Sequence, residues 1–234
     1  MKRGFVIHVH GIATLEEARV LESLGVDWIG VMVGKIAAGR ILEGHQASLI
    51  AAALKHARLC VEPEGGVETL DASLVRDMGA RAVQVPWGPD VPRTFRESLA
   101  QVGIPWALAR VPADEDDDPA WVQSRLSEAG APPPEWSQIE ICPSLNDGWR
   151  VLGEPSEDEL NILDLDEIAA KFPILFALPP DLQDFDEAAR RLPHARGFSW
   201  SLADELGAVP GAHGLPFDQL RAVLEGLNAV SRRE

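Results

Sequence analysis

Short runs of apolar residues alternate along this chain with longer segments whose apolar positions recur at helical spacing. The alternation persists from one end to the other and predicts repeated strand–helix units feeding a parallel sheet. Strands are expected near Phe5–His10, Asp27–Val33, Arg58–Glu62, Ala82–Trp87, Pro105–Val111, Gln138–Cys142, Ile174–Leu178 and Gly197–Ser201. Helices are expected near Thr14–Leu24, His45–His56, Val67–Met78, Pro92–Val102, Pro119–Ala129, Leu163–Lys171, Asp184–Leu192 and Pro216–Asn228. Thr14 reads as an N-cap, Glu16 and Glu17 suit a first turn, and Gly25 suits a stop. Pro92, Pro119 and Pro216 stand where a first helical turn tolerates proline.

Eight alternating units make an α/β chain of (β/α)8 (TIM) barrel type, since open doubly wound sheets usually have fewer strands. The 234 residues suit one such barrel, so a single domain over residues 1–234 is expected. The segment 113–118 (ADEDDD) reads as an acidic solvated loop, and 131–134 (APPP) as a stiff spacer. The segment 144–160 follows a strand and therefore belongs to the face where barrel chemistry happens.

Composition narrows the partners. The formal net charge of −16 and the pI of about 4.7 disfavour nucleic acid and anionic membrane surfaces. A small anion remains admissible, because helix N-termini present backbone amides whatever the net charge. Cys60 and Cys142 match no disulfide or zinc spacing and read as reduced thiols. The basic start (Lys2, Arg3) runs at once into FVIHVHG, which is not a signal-peptide core, and no apolar run approaches the roughly 18 residues of a membrane helix. A cytoplasmic protein, monomer or homodimer, acting on a small molecule without a cofactor, is the expectation.

His8 and His10 are the sharpest chemical feature. Two apart on a strand, they share a face, while Phe5, Ile7 and Val9 suit the helix-covered side. Both imidazoles should therefore enter the barrel mouth. They suit acid–base or hydrogen-bonding work, or a metal pair that still needs another ligand, with Glu205 and His213 in a later loop as possible donors. Simple polar filling of the barrel is the third reading. Glu62 and Glu64 end a strand. Glu140 shares a face with Cys142 and suits a general acid, or else a salt bridge to Arg110. Gln84 and Trp87 suit the lining of a planar substrate, and Arg40 suits a carboxylate clamp or a surface ion pair. His45, His56 and His194 read as surface residues.

The opening HVHGIATLEEARVLESLGVDWIGVMV resembles that of the phosphoribosylanthranilate isomerase family, whose pattern is KICGIT, a helix, then GAD-IGF. Gly11 and Ile12 match the first motif, and residues 25–30 match the second. Arg40 falls near the arginine of the family's SPR segment, Val83-Gln84-Val85 resembles VQLHG, and GFSWSLADELGAVPG resembles DVSSGVE followed by PG. The resemblance implies a TIM barrel and an isomerase. It also implies departures: His10 stands at the family's catalytic cysteine, His8 at its lysine, and Cys142 or Pro143 at its acidic aspartate. The phosphate-gripping glycines of GGTG, AGG and SSG are replaced by SLNDGW, ALPP and SLAD, and prolines donate no amide.

Three functions are therefore expected in competition. The first is a divergent isomerase or lyase with His10 as base, Glu140 as acid and His8 in support; Arg40, Gln84, Trp87 and Arg110 would contact its substrate. The second is a non-catalytic binding or scaffold homologue. The third is a metal-dependent hydrolase through His8 and His10.

Overall fold

The computed structural model describes residues 4–35, 39–67, 70–88, 91–114, 116–141, 160–177, 185–202 and 214–230. Eight parallel strands close into a barrel: β1 (Val6–His10), β2 (Trp28–Val33), β4 (Arg58–Pro63), β5 (Ala82–Pro86), β6 (Trp106–Ala113), β7 (Ser137–Ile141), β8 (Ile174–Ala177) and β9 (Gly197–Leu202). They lie in that order, and pairing of β1 with β9 completes the circle. Two-residue strands, β3 (Ile41–Leu42) beside β2 and β10 (Gly214–Leu215) beside β9, are additions too short to leave a periodic signal.

The helices are α1 (Leu15–Ser23), α2 (Gly44–Ala53), α3 (Ala72–Asp77), α4 (Arg93–Gln101), α5 (Pro119–Ser127), α6 (Ile162–Ala169), α7 (Phe185–Arg191) and α8 (Phe217–Val230). Thr14 caps α1 through a box completed by Glu17, and Gly25 follows it with φ of 82°. Pro119 opens α5, whereas Pro92 is the N-cap of α4 rather than part of its first turn. Helix α3 begins later than the pattern at Val67 suggests. The Asp71 carboxylate accepts from the Ser73 amide and fixes the start there.

Alternation along each strand separates two layers. Ile7, Val9, Ile29, Val31, Val83, Val85, Ile139, Ile141 and Phe176 are buried under the helices in the main core. Such helix-facing positions hold most of the apolar area, at roughly 1.5–3 kcal/mol for each large side chain removed from water. The opposite face fills the barrel. Trp28, Cys60, Ala82, Ala107, Trp136 and Leu175 form a separate apolar cluster there, and the two tryptophan rings lie 4.8 Å apart. Cys60 thus faces inward, on the same side as Glu62 two residues on.

Strand β6 breaks the alternation. Leu108 pairs with Ser137 and Val111 with Ile139, so β6 carries one residue more than β7 between the same rungs. Arg110 sits in this bulge with φ of 55°, left-handed for a residue with a side chain.

Candidate active site

The inward face changes from apolar to polar towards the C-terminal ends of the strands. His8, His10, Glu62, Gln84, Gln138, Glu140 and Ser199 are all buried there. The parity argument for His8, His10, Gln84 and Glu140 therefore holds, and Glu62 joins them, meeting both His10 and Gln84.

His8 and His10 follow from the first strand. The His8 Nδ1 lies 2.9 Å from the Ser199 hydroxyl of β9, its register partner. The His10 Nε2 comes 3.6 Å from Glu62 Oε2 on β4, although β2 lies between their strands. Gly30 of β2 permits that approach. A Cβ there would meet His10 Nδ1 at 2.7 Å and His8 Nε2 at 2.9 Å, so the imidazoles occupy the room a side chain would take. Neither of those two nitrogens has a hydrogen-bond partner among the described residues.

Glu62 is bound from the other side as well. Gln84 Nε2 donates to its Oε2 at 3.2 Å, and the Arg110 guanidinium pairs with its Oε1. Arg110 thus meets Glu62. The bulge is the reason, because it turns inward a side chain that regular alternation after Ala107 would send outward. The Glu62 partnerships were the part of the site that residue spacing did not disclose.

Burial sets the protonation of the two imidazoles. Desolvation, with a smaller push from His10, lowers His8 to about 3. Desolvation also lowers His10; Glu62 opposes the shift and Arg110 reinforces it. Both rings are neutral near pH 7. Burial together with Glu62 raises the Cys60 thiol well above its ordinary range, so it is an inert thiol below the site.

Of the other expected substrate contacts, Arg40 meets the chain just after β1, and Trp87 lies outside the barrel. The Arg40 guanidinium is held by the Gly11 carbonyl and by Glu17, at 2.6 Å, where it ties the loop after β1 to α1. That is the ion-pair alternative for this residue. Trp87 follows β5 with parity opposite to Gln84 and lies 36% exposed in a cleft outside the barrel, under Arg125. Among the described residues no three His, Cys, Asp or Glu side chains group to hold a metal ion. Cys142, Glu205, His213 and the segments SLNDGW and ADEL lie outside the described residues. His45, His56 and His194 are exposed, and His194 pairs with Asp166 at 2.8 Å.

A closed parallel barrel with a polar C-terminal interior defines the TIM-barrel class. Within that class the chain is similar in structure to phosphoribosylanthranilate isomerases. That of Thermococcus kodakaraensis is 22% identical, with 98% of this chain and 100% of that chain covered and a TM-score of 0.62. That of Thermotoga maritima is 14% identical, with 96% and 99% covered and a TM-score of 0.64. A truncated 3-deoxy-D-arabino-heptulosonate 7-phosphate synthase from Thermotoga maritima also matches, at 16% identity, 98% and 87% coverage and a TM-score of 0.57. No family model and no curated protein matches the chain. At these identities the likeness is one of fold.

Proposed function

We propose that the chain is a divergent phosphoribosylanthranilate isomerase-like enzyme. In this reading it is an acid–base isomerase or lyase moving a proton on a small carboxylated or aromatic metabolite at the barrel mouth. The observation that carries the reading is the buried, neutral His10 at the end of β1, 3.6 Å from Glu62. A neutral imidazole accepts a proton without prior activation. Once protonated it gains the attraction of a carboxylate already in place, in surroundings that screen charge poorly. Arg110 and Gln84 position Glu62, so both act through it rather than on the substrate. Glu140, buried on the same inward face, is the acid of this scheme, and His8 supports His10 from below.

Phosphoribosylanthranilate itself is not the substrate we expect, because base, acid and phosphate-binding glycines all depart from that family's pattern. Little or no rescue of a tryptophan auxotroph lacking the isomerase should follow. The protein is read as a monomer or homodimer acting inside the cell; among the described residues no helix is long and apolar enough to cross a membrane.

The test is proton exchange. The protein is incubated in D2O with panels of ketoses, aminodeoxyketoses and 2-oxo acids, and carbon-bound protons are followed by NMR. Washout of a proton next to a carbonyl or imine supports the reading. No exchange in any compound would favour a non-catalytic homologue.

A further inference from the structure

We infer that the cleft between α4 and α5, on the outer flank of the barrel, is a binding site for a small planar anion of the aromatic carboxylate class. It lies over β6, away from the His10–Glu62 centre, and is independent of the function proposed above. Its volume is about 340 Å³, within the range of small-molecule sites. Trp87, Trp106, Arg93, Arg96, Arg125 and Glu128 line it.

Two arginine–tryptophan pairs give the cleft a cationic and aromatic lining. The Arg96 guanidinium lies 5.7 Å from the Trp106 ring centre, and that of Arg125 lies 5.8 Å from the Trp87 ring centre. Two arginines are already neutralised. Arg93 meets Glu97 at 2.7 Å, and Arg125 grips Asp117 with both terminal nitrogens, at 2.7 and 3.0 Å. Arg96 is different. Its Nη1 donates to the Ala129 carbonyl, while its buried Nε has no hydrogen-bond partner and no carboxylate meets it among the described residues.

The Arg96 Nη2, with no hydrogen bond to any described residue, offers a charged donor to a carboxylate oxygen, while Nε stays covered. Leaving such a cation partly desolvated and unpaired costs free energy, which an incoming carboxylate would recover. Trp87 supplies the rest of the recognition. Trp87 is 36% exposed and lines the same cleft as Arg96, where its ring offers a flat surface. A planar ring joined directly to a carboxylate satisfies both features at once. Glu128, which also lines the cleft, disfavours a second negative charge.

Benzoate, titrated calorimetrically into the full chain, tests the site. Saturable one-to-one binding below ~10 mM is expected, with benzyl alcohol at least about tenfold weaker. Arg96→Gln should weaken benzoate at least about tenfold, and Trp87→Leu about fivefold. Far-UV circular dichroism and melting temperature check that Arg96→Gln folds; if it does not, the exposed Trp87→Leu carries the test. His10→Gln should leave the affinity unchanged. Absence of saturation would overturn the assignment, as would unchanged affinity in Trp87→Leu and, where it folds, Arg96→Gln. Loss of binding in His10→Gln would do the same by moving the ligand to the barrel mouth.

Discussion

His10 and Glu62 belong to strands that are not neighbours, yet they meet at 3.6 Å across Gly30. The glycine removes the side chain that would stand between β1 and β4, and the imidazoles take its place. Sequence supplies the gap, packing fills it, and the filled gap brings a base to a carboxylate.

Gly30→Ala tests this directly. Its methyl would fall 2.7 Å from His10 Nδ1 and 2.9 Å from His8 Nε2, so both rings must move. A loss of roughly 1–3 kcal/mol in urea unfolding is expected, as for overpacked cores, with shifted imidazole NMR signals. Unchanged stability and unchanged signals would show that the rings have slack.

Arg110 offers a separate check of the bulge. Arg110→Ala removes the partner of a buried carboxylate and keeps a left-handed backbone under a side chain. A loss on the order of 2–3 kcal/mol is expected, discounted from fully buried pairs because Arg110 is partly exposed. Arg110→Gly should be more stable than Arg110→Ala by about 1 kcal/mol, since glycine adopts that φ freely. The reverse order would mean the bulge relaxes without the arginine.

The histidines also give the fold a pH dependence with a definite sign. Both have folded values below the unfolded 6.5, so the unfolded chain binds more protons as pH falls. Their contribution is complete above pH 6.5 and is lost as pH drops towards the folded values, about 3 for His8. Between pH 6.5 and 5, His8 alone should cost about 2 kcal/mol. Unfolding at several pH values in that window, for the parent and His8→Gln, measures it. Equal slopes for the two would show that His8 is not buried as a neutral ring.

Most of the fold was legible because strands facing helices are apolar on alternate residues, and observed ends lie close to expected ones. Parity likewise placed His8, His10, Gln84 and Glu140 on one inner face. It also separates Trp87 from Gln84, three residues back on the strand, a distinction the grouping of both as substrate-lining residues overlooks. Arg110 was illegible for another reason. Pro112 marks β6 as irregular but does not say which residue is the extra one, and pairing across β6 and β7 is a tertiary fact. The contact of His10 with Glu62 depends on a closed barrel, so local sequence carries no trace of it. Arg40 matched a family position, but its guanidinium is tied to Gly11 and Glu17.

The central claim is that His10 moves the proton. On any compound that undergoes solvent exchange, turnover of the parent is compared with His10→Ala and His10→Gln, alongside their melting temperatures. The account predicts a fall of roughly 10²–10⁴-fold in His10→Ala with the fold intact. His10→Gln, which keeps polarity but loses basicity, should fail nearly as badly. Full turnover in His10→Ala would contradict the account and reduce His10 to barrel filling.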